Sequence, residues 1–154
     1  MKAQEIMTKE VVSLRQEDNV LDGLSLLFKM KISGLPVVDA NARLVGMFTE
    51  KDVLSRLLPS YIEKVGKFIY EENPKSTKKK FADLSQVTVS QIMRKEIVST
   101  KPETTLCEVA RLMLTQKTRR VPVIDETGKM LGIIARCDIL KALAREAELE
   151  LKQS

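Results

Sequence analysis

The sequence predicts a mixed α/β (α+β) protein made of two tandem repeats, with two small sheets and flanking helices in a pseudo-two-fold pair. The first observation is that five segments recur at an offset of 86 residues without any insertion. The second is the pattern inside each copy, where short apolar runs typical of strands alternate with apolar positions at helical spacing. The third is size: a copy of about 55 residues buries little apolar surface alone, so the copies are expected to pack with a cleft between them.

Each copy is predicted to contain a strand, a helix, a strand, a hairpin, a strand and a helix. In the first copy we expect strands at residues 11–14, 35–38 and 44–48, and a final helix that begins at Thr49 or Glu50. Tight turns at 39–42 and 125–128 join the paired strands. The first helix begins after Asn19, and its counterpart begins at a Thr105-x-x-Glu108 capping box. The helix that begins after Asn19 is predicted to have a buried face formed by Val20, Leu21, Leu24, Leu27 and Phe28.

Composition limits the possible chemistry. The 154 residues include no histidine, which excludes the commonest general base and most zinc and iron sites. Cys107 and Cys137 stand in apolar segments and are expected to be buried thiols without a disulfide. With no signal peptide and no apolar run near the roughly 20 residues of a membrane span, the protein is expected to be cytoplasmic and free of membranes.

The charge is uneven along the chain. The net charge is +5, of which residues 1–58 carry none and residues 89–154 carry +3. This distribution favours an anionic ligand or partner in the second half.

We expect the first domain at residues 1–58, a helical and basic linker at 59–86, the second domain at 87–147 and a charged tail at 148–154. A helix in the linker is predicted from the helical spacing of Tyr61, Ile62, Val65, Phe68 and Ile69. After Pro74 we expect a solvated basic loop that contains Lys78, Lys79 and Lys80, although the linker could instead be a partner or dimer surface. Three lysines without a groove-reading motif do not favour nucleic-acid binding.

The strongest local motif runs from Gly46 to Asp52, where a strand passes into a helix. A helix N-terminus offers free N–H groups to a phosphate, and Asp52 could accept two hydrogen bonds from a ribose diol. The alternative is that Thr49 and Asp52 only cap their own helix. In the second copy Ala135 replaces the threonine, yet Asp138 is retained. This retention favours a role other than reciprocal capping, although an aspartate in a first turn also gains from the helix dipole.

The two sets of motifs, taken in order, resemble a CBS domain pair, also called a Bateman module. The resemblance covers residues 1–58 and 87–147 and indicates a stand-alone module. It rests on Ile-Met near each start, on the first-strand segments 11–13 and 97–99, on segments 34–39 and 120–125, and on Gly46-x-x-Thr49-x-x-Asp52.

The resemblance implies a regulatory module that is not an enzyme and requires no cofactor, and that binds an adenosine ligand such as AMP, ADP, ATP or S-adenosylmethionine. It places the ribose-binding carboxylates at Asp52 and Asp138, with the Thr49 hydroxyl facing phosphate. In the first copy the base pocket would be lined by Val12, Ser13, Ser33, Gly34, Leu35 and Pro36. In the second copy it would be lined by Val98, Ser99, Thr100, Arg119, Arg120, Val121 and Pro122.

Ala135 departs from the family pattern because it lacks the hydroxyl. Arg119, Arg120 and Arg136 could compensate, since guanidinium groups bind phosphate bidentately. We therefore expect two unequal sites, with phosphate drawn towards the arginines. The expected partners are a second copy of the chain, in a homodimer, and an unidentified regulated protein. The alternative function is a structural or oligomerisation module with a degenerate or empty cleft.

Overall fold

Two small sheets hold the strands of the two repeats, in a computed structural model that describes residues 1–57 and 74–147. The mixed α/β fold is confirmed. In chain order the elements are α1 (Ala3–Ile6), β1 (Leu14–Arg15), α2 (Val20–Met30), β2 (Gly34–Val38), β3 (Leu44–Thr49), α3 (Glu50–Leu57), α4 (Pro74–Asp83), a 3-10 turn (Leu84–Gln86), α5 (Val89–Ile92), α6 (Leu106–Thr115), β4 (Arg120–Ile124), β5 (Met130–Ala135) and α7 (Arg136–Glu146).

The chain divides into two compact units that are not contiguous in sequence. The first-repeat unit contains Val12–Ala40 and the described residues between Val45 and Glu96. The second-repeat unit contains Met1–Val11, Asn41–Leu44 and the described residues from Ile97 onwards. The second-repeat unit therefore includes the segment that precedes the first repeat. The first-repeat unit includes the described part of the segment that precedes the second repeat.

The first-repeat unit has the strand order β1-β2-β3, with β1 parallel to β2 and Leu14 opposite Val37. The strand predicted at residues 11–14 is wrong in its position, because the observed strand begins at Leu14. In the second-repeat unit β4 and β5 are antiparallel, and Thr100 makes a single parallel bridge to Val123. The remaining strands and the start of α3 at Glu50 agree with the sequence prediction.

Each unit has its own apolar core. Side chains from β1, α2, β2, β3 and α3 form the core of the first-repeat unit, and Phe48 is fully buried there. Ile134, at the position equivalent to Phe48, is fully buried in the core of the second-repeat unit. The prediction for Phe28 is wrong, since 65% of its surface is exposed. Its neighbour Leu27 faces the core and is 1% exposed, so Phe28, one position further around α2, points outward.

The helix starts predicted from capping residues are observed. Asn19 Oδ1 accepts from the Leu21 N–H at 2.8 Å and begins α2. Thr105 Oγ1 accepts from the Glu108 N–H at 3.4 Å and begins α6. The reciprocal half of that capping box is replaced, because the Glu108 carboxylate pairs with the Arg111 guanidinium. Hydrogen bonds from Arg111 lower the pKa of Glu108.

The segment before each repeat packs on a strand glycine of the other repeat, and both partners belong to the same unit. The backbone of Thr8 exchanges two hydrogen bonds with Ile133, and Met7 lies against Gly132. In the first-repeat unit Arg94 exchanges two hydrogen bonds with Met47, and Met93 lies against Gly46. A β-carbon at Gly132 would stand 2.6 Å from Met7 Sδ, so only glycine fits without displacement.

Two further sequence predictions are wrong. Cys107 and Cys137 are free but exposed, because both occupy outward positions on helices α6 and α7. The basic run at residues 78–80 is exposed but helical, since α4 begins at Pro74, a residue whose fixed φ suits a first helical turn. The predicted linker helix between Tyr61 and Ile69 and the tail at 148–154 lie outside the described residues. Within the described ranges, no helix is long and apolar enough to cross a membrane.

Candidate functional site

The first candidate site is the junction of β3 and α3, where Thr49 and Asp52 form a reciprocal cap. Thr49 donates to Asp52 Oδ2 through Oγ1 at 2.7 Å and through its N–H at 3.2 Å, and the Asp52 N–H donates to Thr49 Oγ1 at 3.3 Å. The capping interpretation is thus observed. Both bonds to the carboxylate fall on Oδ2, and within residues 1–57 and 74–147 Oδ1 accepts none. Asp52 is half-buried, so this second oxygen can still accept from a ligand.

Ser33 and Gly34 lie beside this junction. The Glu50 N–H donates to the Ser33 carbonyl at 2.9 Å, and a β-carbon at Gly34 would stand 3.1 Å from Thr49 Cγ2. The parallel pairing of Leu14 with Val37 carries the preceding residues Val12 and Ser13 towards the start of β2. The structure therefore brings most of the predicted residues of the first site to one end of the sheet.

Leu35 and Pro36 belong to the core instead of the accessible surface. Leu35 is 2% exposed and Pro36 is fully buried, so their side chains can shape the site only from behind. Val12 is the opposite case, with 43% of its apolar surface exposed at the same end of the unit.

The second candidate site is the junction of β5 and α7. The Ala135 N–H donates to Asp138 Oδ2 at 2.7 Å. Asp138 therefore caps its helix in one direction, without the reciprocal bond that the Thr49 hydroxyl accepts in the first repeat. Within the described residues, a single donor group holds this carboxylate, whereas the Asp52 carboxylate has two.

Arg120 stands opposite Ala135 in the pairing of β4 with β5. The equivalent residues in the first repeat are Gly34 and Thr49, where the threonine methyl leaves little room for a β-carbon. Because Ala135 has no γ-carbon, the closest contact that a β-carbon would meet at Gly34 is absent opposite Arg120. The two departures from the first repeat are therefore sterically compatible with each other.

Arg119 and Arg136 flank this second junction, and both side chains are exposed. Neither forms an ion pair with another described residue. Two guanidinium groups and the N-terminus of α7 thus add positive charge to the second site.

The other predicted residues of the second site occupy its base. The Thr100 N–H donates to the Pro122 carbonyl and its own carbonyl accepts from Ile124, each at 2.9 Å, so Thr100 is fixed against β4. Val98 and Ser99 precede it and are half-buried. Val121 and Pro122 are fully buried and contribute to the core.

Both junctions offer groups that can bind a ligand through hydrogen bonds. Each offers a first helical turn, an aspartate and backbone donors, a combination that suits a ligand with hydroxyl and anionic groups. Among the described residues no cluster of three acidic or cysteine side chains is placed to hold a metal ion. The hydroxyl of Thr49 donates to Asp52, so it can only accept from a ligand unless that bond breaks.

The profile of the CBS domain matches residues 3–59 and 89–145. The chain therefore belongs to the CBS domain family and contains two CBS repeats, a CBS-pair module.

Curated relatives differ in how much of their length this chain matches. It is 29% identical to the uncharacterized protein MJ1426 of Methanocaldococcus jannaschii, over 93% of this chain and 91% of that protein. It is 31% identical to the inosine-5'-monophosphate dehydrogenase of the same organism, over 91% of this chain but only 23% of the enzyme. The match to CBSX2 of Arabidopsis thaliana, a chloroplastic CBS domain-containing protein, has 32% identity over 88% of this chain and 60% of that protein.

Solved structures share the fold. CBSX2 from Arabidopsis thaliana has a TM-score of 0.76 at 26% identity, covering 97% of this chain and 98% of that chain. CBSX2 in complex with AMP has a TM-score of 0.73 at 28% identity, covering 95% of this chain and 98% of that chain.

Proposed function

We propose that this chain is a regulatory module, not an enzyme, that binds an adenine nucleotide at its strand-to-helix junctions. The observation that carries the proposal is the aspartate in the first turn of α3 and again of α7. In each repeat one carboxylate oxygen is held by the residue that ends the strand, which fixes the orientation of the group. The crystallised complex of CBSX2 with AMP, in a protein of similar fold, supports the same ligand class.

In this proposal Asp52 and Asp138 accept hydrogen bonds from the ribose hydroxyls. Oδ2 stays with the backbone donor, and Oδ1 is left for the diol. The base would lie near Val12, Ser13 and Ser33 in the first repeat. Phosphate would meet the helix N-terminus, because the first turn presents unpaired N–H groups.

The two sites are proposed to differ in their preference for phosphate. The second site has Arg119 and Arg136 exposed and without ion pairs in the described part of the chain, whereas the first has Ser33 and Glu50 at the equivalent positions. ADP and ATP would therefore favour the second site, and AMP would be accepted by both.

Isothermal titration calorimetry with AMP, ADP, ATP and S-adenosylmethionine tests the ligand class. Asp52→Asn keeps an oxygen for the cap but replaces one ribose acceptor with an amide, so the affinity of the first site should fall at least about tenfold. Asp138→Asn should do the same at the second site. The control is Thr105→Ala, which removes a helix cap outside both sites and should lower Tm without changing affinity. Absence of heat and of a thermal shift with all four ligands would overturn the proposal.

Arg136→Gln tests the inequality of the sites. It should weaken ATP more than AMP, because the extra phosphates carry the additional charge. Equal loss for both nucleotides would contradict the assignment of phosphate to this side.

A ligand that regulates must distinguish two states of the protein, since it can shift an equilibrium only by its differential affinity. We propose that a regulated protein reads that shift. Co-purification of a partner whose affinity changes when AMP or ATP is added would identify it.

The second candidate function is oligomerisation, favoured by apolar side chains exposed at equivalent positions of the repeats. Phe28 and Leu114 are 65% and 76% exposed, and Leu54 and Leu140 are 55% and 64% exposed. Exposed apolar groups of this size are commonly covered by a partner, and a second copy of the chain would cover both pairs with the same chemistry. Sedimentation equilibrium should show a dimer that Leu114→Ser with Leu140→Ser weakens, and a monomer at all concentrations would exclude it.

A further inference from the structure

A cavity of about 310 Å³ lies within the first-repeat unit, at the opposite end of α3 from Thr49 and Asp52. Arg56 and Leu57 reach it from the last turn of α3, about 6 Å along the helix axis from Asp52. Its other walls come from the end of α4 and from the segment that follows. The lining side chains are Arg56, Leu57, Lys80, Asp83, Leu84 and Val87.

The floor of this cavity is apolar and fixed. Leu84 is 2% exposed and belongs to the core of the unit. Leu57 and Val87 are half-buried and pack against the same core. Three branched aliphatic side chains therefore form a surface on which an apolar group of a ligand can be buried.

The rim carries charges of both signs. Arg56, Lys80 and Asp83 are exposed, and none of them forms an ion pair within the part of the chain that the structure describes. The cations and the carboxylate thus surround one apolar floor without neutralising each other through direct contact. Asp83 is the last residue of α4, directly before the 3-10 turn at Leu84–Gln86.

We propose that this cavity binds a small α-amino acid with an apolar side chain. The carboxylate of such a ligand would meet Arg56 and Lys80, its ammonium would meet Asp83, and its side chain would lie on Leu57, Leu84 and Val87. The volume lies at the lower end of the range of about 300–1,000 Å³ for ligand sites, which suits a molecule of this size.

Other ligand classes fit this lining less well. A nucleotide phosphate would be placed next to the Asp83 carboxylate, which repels anions. A purely apolar ligand would contact the floor but make no use of the three charged groups at the rim. A zwitterion satisfies both signs at once.

L-Leucine is the probe, measured by calorimetry and by saturation-transfer NMR on the full chain. Two analogues each lack one charge: 4-methylpentanoate has no ammonium group and 3-methylbutylamine has no carboxylate. We expect L-leucine to bind with Kd of about 1 mM or tighter, and each analogue to bind at least about tenfold more weakly.

Three variants assign the charges. Arg56→Gln and Lys80→Gln should weaken L-leucine and 4-methylpentanoate but not the amine. Asp83→Asn should weaken L-leucine and the amine but not 4-methylpentanoate. Lys29→Gln, on the exposed surface of α2 in the same unit, is the matched control and should change nothing.

Four outcomes would overturn the proposal. The first two are that L-leucine does not bind and that 4-methylpentanoate binds as tightly as L-leucine. The third is that all three rim variants bind L-leucine with unchanged affinity. The fourth is that L-leucine competes with AMP and that Asp52→Asn abolishes the binding of both. The last outcome would place L-leucine in the nucleotide site. Because AMP is measured separately, failure of either site is distinguishable from failure of the other.

Discussion

Gly132→Ala tests the packing of the N-terminal segment against β5. The new β-carbon would stand 2.6 Å from Met7 Sδ, 2.8 Å from Met7 Cγ and 2.8 Å from the Thr8 carbonyl oxygen. The methionine side chain can move, but the Thr8 oxygen is backbone and accepts from the Ile133 N–H at 3.0 Å. The substitution therefore has to displace the strand-like segment itself.

The size of the effect follows from three contributions. Overpacking a strand contact costs about 1–3 kcal/mol. Loss of the two hydrogen bonds between Thr8 and Ile133 adds about 1 kcal/mol each. Alanine recovers about 0.5–1 kcal/mol by restricting the unfolded chain, because Gly132 is not among the residues with positive φ. We expect a net loss of about 2–4 kcal/mol and a fall in Tm of about 5–15 °C.

Chemical denaturation of a double-mutant cycle with Met7→Ala provides the assay. Removing the methionine relieves the contacts with Sδ and Cγ but not the one with the Thr8 oxygen, so the double variant should recover only part of the loss. The coupling energy should be about 1 kcal/mol or more. A parallel cycle with Cys107→Ala, an exposed residue on α6, should be additive. A loss below about 0.5 kcal/mol for Gly132→Ala, or additivity with Met7→Ala, would refute the reasoning.

Three further predictions concern local structure. Asn19→Ala removes the cap of α2 and the bond from Asn19 Nδ2 to the Ser85 carbonyl, and should lower the free energy of unfolding by about 1–2 kcal/mol in denaturant titration; a change near zero would exclude the cap. Ala42 has φ of 62°, a left-handed conformation that is strained for alanine, whereas the equivalent Gly128 of the second repeat has φ of 88°. Ala42→Gly should therefore stabilise the protein by about 0.5–1 kcal/mol in denaturant titration. A loss of stability would show that this backbone strain is absent. Hydrogen bonds from Thr127 and Lys129 hold the pKa of Asp125 below its usual range. The stabilising contribution of Asp125 should therefore be present at neutral pH and be lost as the pH falls through the lowered pKa. NMR titration should detect the lowered pKa, and Thr127→Ala should bring it closer to the usual value.

The sequence predicted the features that depend on local pattern. The cap at Asn19 and the strand predicted at residues 44–48 depend on neighbouring residues, and the structure has both, with the strand one residue longer. The exposure of Phe28 and of both cysteines was predicted wrongly, because an apolar residue type does not by itself show that its side chain faces the core: each lies on the outward face of its helix, close to a buried residue. The segments that the units exchange were not predicted either, since nothing local in Met1–Val11 specifies which repeat it joins.

The candidate sites were predicted in composition but not in bonding. Thr49 and Asp52 were identified, yet their reciprocal cap fixes which carboxylate oxygen remains for a ligand. The pairing of Arg120 with Ala135 was not predicted. A comparison of the two repeats shows that both positions differ, but only the observed strand pairing shows that the two residues lie opposite each other in the sheet.

Because the units are discontinuous in sequence, parts of one unit are synthesised at different times. Thr8 leaves the ribosome about 125 residues before Ile133, the residue with which its backbone pairs. At roughly 5–20 residues per second this interval is about 6–25 s, long compared with the formation of a helix or a hairpin. During translation the second-repeat unit therefore waits for its last strand, and the first eleven residues remain available to chaperones or to proteases until β5 emerges.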